Sequence, residues 1–121
     1  MRADLLHVVT CVANPIRWAS RERLYRDFAS HMLESGVHLT TVECAYGDRP
    51  FALTDIPGVN HIPVRARSLL WTKENLLNIG IARLPADWKY EAWVDADIHF
   101  RKPGWAAETI EALQQYDIVQ P

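Results

Sequence analysis

Leu5-Leu6-His7-Val8-Val9-Thr10-Cys11-Val12-Ala13 is a nearly continuous apolar run, rich in β-branched side chains and halted by Asn14-Pro15. Such a run suits a central strand buried on both faces, where no polar alternation is needed. The next segment has a different period. Ser20 is placed to cap a helix with Glu22 in its first turn. Leu24, Phe28 and Met32 then recur at i, i+4 and i+8, Tyr25 and Ala29 widen the stripe, and Gly36 stops it. A buried strand followed by an amphipathic helix is the building unit of a layered α/β fold.

The unit recurs downstream. His38–Tyr46 reads as a second strand ended by Gly47-Asp48-Arg49-Pro50, residues 50–58 as a loop, and residues 60–64 as a short third strand. Thr72 is placed to cap a second helix carrying Leu76, Leu77, Ile81 and Leu84, which ends at Pro85. Gly80 inside that helix costs about 1 kcal/mol relative to Ala and is expected to permit close packing on the sheet. Residues 90–100 read as a fourth strand, Pro103 opens a third helix running through Gln115, and residues 117–120 begin a fifth strand.

The expectation is an α/β, Rossmann-like, mainly parallel sheet with flanking helices, in a single domain over residues 1–121. The β-prone Ile118-Val119 is followed only by Gln120-Pro121, so the chain is expected to be the front portion of a longer domain. Apolar surface near Ile118 and Val119 would then favour self-association.

Bulk properties narrow the function classes. The 121 residues carry 13 basic and 15 acidic side chains, a net charge of −2 that gives no positive field for nucleic acid. Arg65, Arg67 and Lys73 form a local basic cluster, which on charge alone reads as solvated surface. Cys11 and Cys44 match no zinc spacing and fit free thiols in a reducing cytoplasm. The opening apolar run is too short to span a bilayer and is flanked by Asp4 and Asn14-Pro15, unlike a signal peptide. Five tryptophans, at 18, 71, 88, 93 and 105, are expected mostly to pack in the core or on the sheet. Trp71, just ahead of the second helix, is the candidate stacking platform.

The chemistry concentrates in Trp93-Val94-Asp95-Ala96-Asp97-Ile98. Two carboxylates two residues apart face the same side if the strand stays extended. Their mutual repulsion is relieved by a hard divalent cation, Mg²⁺ or Mn²⁺, which prefers oxygen ligands. His99 continues the alternation as a candidate third ligand. The pair sits near a strand's carboxyl end, where parallel sheets bind ligands.

With these residues in place, the chain resembles the GT-A glycosyltransferases. The strand-borne Asp95-Ala96-Asp97 looks like their Asp-x-Asp motif. Val8 to Pro15 looks like their first strand and loop, and Trp71-Thr72-Lys73-Glu74-Asn75-Leu76-Leu77-Asn78-Ile79-Gly80 looks like their pre-motif helix.

The resemblance implies a glycosyltransferase enzyme that binds a nucleotide-diphosphate sugar, a UDP-sugar by preference, with Mn²⁺ or Mg²⁺. It matches Asp97 to the direct metal ligand and Asp95 to the acid that meets the ribose or metal-bound water. Val12, Ala13 and Asn14 match the backbone that meets the base, Glu43 the acid near the uridine or ribose, and Arg65 or Lys73 the cation on the diphosphate. The acceptor and the catalytic base are left unassigned, because the family's equivalents lie beyond its fifth strand.

Two other readings stay open. A sugar nucleotidyltransferase also sets carboxylates around a metal but would carry a Gly-rich loop, which Asn14-Pro15-Ile16-Arg17 is not. A non-catalytic nucleotide-binding or interaction module would need no acceptor half. The sequence holds no G-x-G-x-x-G, phosphate loop, H-E-x-x-H or G-x-S-x-G motif.

Overall fold

A computed structural model describes residues 3–13, 19–67 and 73–120. Asn14, Trp18, Trp71 and Thr72 lie outside them, so the expectations placed on these four are not addressed. A 3-10 turn, Ala3–Leu5, leads into β1 (Leu6–Ala13), α1 (Ala19–Glu34), β2 (His38–Tyr46), β3 (Val59–Ala66), α2 (Lys73–Ala82), β4 (Tyr90–Trp93) and α3 (Trp105–Leu113). The four described strands form one parallel sheet in the order β3-β2-β1-β4. The α/β, Rossmann-like expectation is met.

The burial of successive residues along β1 and β2 has a direct cause: both faces are covered. On one face Leu6, Val8 and Leu39 meet Tyr25, Phe28, Ala29 and Met32 of α1, and Trp105, Ala106 and Ile110 of α3 join the same cluster. On the other face Val9, Val42 and Cys44 lie under Leu76 and Leu77 of α2. Pro63 falls in β3, an edge strand, where its missing N–H is tolerated. Gly36, at φ 84°, provides the left-handed residue that ends α1.

Several elements differ from expectation. Helix α1 begins at Ala19, so Ser20 is inside it and is not its cap. Its buried stripe is Tyr25, Phe28, Ala29 and Met32, while Leu24 is 43% exposed. Steps of four residues drift about 40° around a helix, which carries Leu24 off the face that Phe28 and Met32 share. The cores of β3 and α3 were legible, with ends shifted by one or two residues.

The largest correction concerns β4, which stops at Trp93 instead of running to residue 100. Val94 N–H still donates to Val9 O, and then the chain turns, with Ile98 N–H donating to Asp95 O at 3.2 Å. Asp is a favoured first residue of such a turn. The apolar alternation through Ala96 and Ile98 therefore marks no strand. The expected fifth strand is absent as well. Residues 117–120 bend without pairing, and Ile118 is 90% exposed. A strand needs a partner for its backbone groups, and this segment has none.

Candidate functional site

The strand order places one crevice apart from the rest. The chain moves from β1 outward to β2 and β3, then returns to the opposite side of β1 with β4. The reversal between β1 and β4 is the switch point at which open parallel sheets bind ligands, beyond the carboxyl ends of the strands. A cavity of about 340 Å³ lies there, within the size range of small-molecule sites. Cys11, Val12 and Ala13 from β1, Lys73 and Leu76 from α2, and Asp95, Ala96 and Asp97 from the turn after β4 line it. Tyr46 and the first turns of α1, through Arg21, Leu24 and Tyr25, complete the wall.

The structure thus gathers five of the expected residues, Val12, Ala13, Lys73, Asp95 and Asp97, around one space. Lys73 Nζ donates to Asp95 Oδ1 at 2.6 Å. That bond raises the Lys73 pKa, against a smaller opposing effect of burial. Asp95 therefore already has a counter-cation. Asp97 is exposed and has no ion pair among the described residues. The Cys11 thiol is half-buried beside Lys73 O, and burial pushes its pKa up.

Three expected site residues are placed elsewhere. His99, expected as a third ligand, stacks on His31 of α1, ring centroids 3.8 Å apart, and is not among the residues that line the cavity with Asp95 and Asp97. Among the described residues no three His, Cys, Asp or Glu side chains gather as a metal group. The turn at Asp95–Ile98 ends the alternation on which the His99 expectation rested. Glu43 is buried and bound to its own loop: it accepts from Ala52 N–H at 2.7 Å and Leu53 N–H at 3.2 Å, and pairs with His61 Nε2 at 2.7 Å. It lines a smaller neighbouring pocket of about 100 Å³ together with Val12 and Tyr46. Arg65 donates to Gly47 O at 2.9 Å and Arg49 O at 2.7 Å and lies over the Phe51 ring. Of the two cations expected at a diphosphate, only Lys73 faces the cavity.

Arg21 was missed, although a signal existed. Helix N-termini favour acids, so a cation there opposes the helix dipole and points to a use outside the helix. Arg21, near the start of α1, donates to Ala13 O at 3.3 Å at the cavity rim. Lys73, the first residue of α2, carries the same signal.

The tryptophans also depart from expectation. Of the three described, only Trp105 is buried, while Trp93 is 61% exposed with its indole N–H on Glu91 Oε2 at 2.9 Å. Trp93 borders a second cavity of about 310 Å³, lined also by Thr10, Cys11, Lys73, Glu74, Leu77, Val94 and Asp95. Cys11, Lys73 and Asp95 belong to both cavities.

Compared with known proteins, the chain matches no family model, no curated protein and no solved structure.

Proposed function

We propose that the cavity at the β1–β4 switch point is the donor site of a glycosyltransferase, binding a nucleotide-diphosphate sugar with the help of Mn²⁺ or Mg²⁺. The observation that carries this reading is the convergence of Asp95, Asp97 and Lys73 on one cavity where the strand order reverses. The likeness to GT-A glycosyltransferases supports it and rests on the motif residues and the order of elements along the sequence alone.

The donor set fits the cation in company with substrate. Mg²⁺ is commonly held by one or two carboxylates plus substrate phosphates, and Asp97 and Asp95 are the protein's share of such an all-oxygen set. When bound, the cation stabilises negative charge on the departing diphosphate. Lys73 supplies a second positive charge, directed to phosphate oxygens. The N-terminal end of α2, where Lys73 sits, favours anions through the helix dipole. Cys11, Val12 and Ala13 at the end of β1, with Tyr46 at the end of the neighbouring β2, form the wall for the nucleoside in this reading.

In the transfer itself, the bond from the anomeric carbon to the β-phosphate oxygen breaks, and the electron pair stays on that oxygen. An acceptor hydroxyl oxygen bonds to the same carbon and gives its proton to a base. This chain's described residues supply the donor side of that reaction.

Calorimetric titration with UDP-glucose and UDP-N-acetylglucosamine tests the reading. Binding is expected with Mn²⁺ present and is expected to be lost in Asp97→Ala. Absence of binding with and without metal would overturn it. Transfer of sugar to an added acceptor then distinguishes an enzyme from a nucleotide-binding module.

Among the described residues no helix is long and apolar enough to cross a membrane. The free thiols Cys11 and Cys44 support a reducing, cytoplasmic setting. Exposed Ile118 and Tyr116 support self-association, which sedimentation velocity would detect as a concentration-dependent mass.

A further inference from the structure

Lys73 is poorly placed to serve its own helix. As the first residue of α2 it meets the positive end of the helix dipole, where Glu74 beside it is the favourable residue. Its ammonium is spent on Asp95 instead, at 2.6 Å, with both side chains partly exposed. Such ion pairs contribute little to stability. The pair stands in the wall shared by the 340 Å³ and 310 Å³ cavities. Asp97, in the same turn as Asp95, carries the carboxylate without an ion pair among the described residues.

A divalent cation approaching Asp95 meets the ammonium first. Repulsion between the two cations, a few ångströms apart and partly shielded from water, weakens binding of a free metal ion. A diphosphate changes the balance, because its oxygens offer both cations partners and its negative charge outweighs their repulsion. We propose that Lys73 is an exchangeable counter-cation: it competes with the divalent ion for Asp95 and transfers to the phosphate oxygens when metal and nucleotide bind together. The inference rests on the donor-site reading and adds the order of events at that site. Metal enters productively with the nucleotide, and Lys73 enforces the coupling.

Mn²⁺ titrations followed by electron paramagnetic resonance of the free ion test this, with and without UDP. The proteins are the wild type, Lys73→Met, which removes the charge and keeps the stem, and Lys73→Arg, which keeps the charge. Without UDP, Lys73→Met is expected to bind Mn²⁺ about tenfold more tightly than the wild type, and Lys73→Arg to remain near the wild type. UDP is expected to tighten Mn²⁺ binding in the wild type, with a smaller gain in Lys73→Met. Circular dichroism melts confirm that each variant is folded.

Equal Mn²⁺ affinity of Lys73→Met and wild type, with UDP still tightening Mn²⁺ in the wild type, overturns the exchange and leaves the donor site standing. A gain in Lys73→Met with no effect of UDP on any of the three proteins overturns the donor-site reading and the release step together. No Mn²⁺ binding by any protein, with or without UDP, overturns both.

Discussion

Gly80 of α2 lies so close to Val9 of β1 that a Cβ on the glycine would sit 2.6 Å from Val9 Cγ1 and 3.1 Å from Val42 Cγ2. The absence of a side chain is what lets α2 settle onto the sheet. Lys73, which pairs with Asp95, is the first residue of the same helix.

Gly80→Ala is therefore expected to destabilise the protein, although Ala is the better helix former. Overpacking costs about 1–3 kcal/mol, and the gain in helix propensity returns about 1 kcal/mol. A urea titration should show a net loss. Stability equal to or above the wild type would mean that the β1–α2 contact yields without strain.

Glu43→Ala should cost about 2–3 kcal/mol, because it strands the Ala52 and Leu53 N–H groups that the carboxylate now accepts. Hydrogen exchange at these two amides should accelerate ahead of the sheet amides. Unchanged exchange would show that the loop is held by other contacts.

Arg65→Ala separates two roles that the sequence left open. Its guanidinium holds the Gly47 and Arg49 carbonyls and does not line the Asp95 cavity. The variant should lose some loop stability and keep its UDP-sugar affinity within about twofold, whereas Lys73→Ala should lose affinity about tenfold or more. A large affinity loss in Arg65→Ala would place the diphosphate elsewhere.

The stability of this fold should fall in mild acid. Burial lowers the His31 pKa, the neighbouring His99 lowers it further, and Glu34 opposes both more weakly. His31 Nε2 accepts the Phe100 N–H at 3.0 Å, which requires the neutral ring. His7 is shifted the same way, by burial first and His38 second, against Asp87. A lowered folded-state pKa means that the unfolded chain binds the proton first. Stability is thus full above the unfolded value of about 6.5 and is lost as pH falls through it toward the folded values. Thermal melts between pH 7.5 and 5.5, a range of roughly one unit either side of that value, should show the midpoint dropping. His31→Gln, whose side chain does not titrate, should flatten part of the slope. A midpoint independent of pH would contradict this account.

The fold was legible where one physical pattern governed a whole element. The apolar run ending at Ala13 suits a strand covered on both sides, and His38–Tyr46 reads as a second strand; both are strands of the sheet. The lining of the candidate cavity was legible in part through Asp95, Asp97 and Lys73, whose charged side chains are visible without coordinates. Legibility failed where neighbours decide. The alternation Ala92, Val94, Ala96, Ile98 looks extended, but the chain leaves the β1 ladder after the Val94 rung, although β1 itself runs on to Ala13, and the Asp-led turn takes over. Glu43 and Arg65 have ligand-binding chemistry, yet the nearby loop backbone uses them, and only the folded path of residues 47–53 reveals that. Residues 117–120 have strand propensity but pair with neither edge strand of the described sheet.

The measurement closest to the central claim is a map of where a nucleotide diphosphate touches the protein. Backbone amide shifts of the ¹⁵N-labelled chain, recorded on titration with UDP and Mg²⁺, should move at Cys11 to Ala13, at Lys73 to Leu76 and at Asp95 to Asp97. The opposite end of the sheet, at His7 and His38, should stay still. Shifts confined to that opposite end, or none at all, would contradict the assignment of the β1–β4 crevice as a donor site.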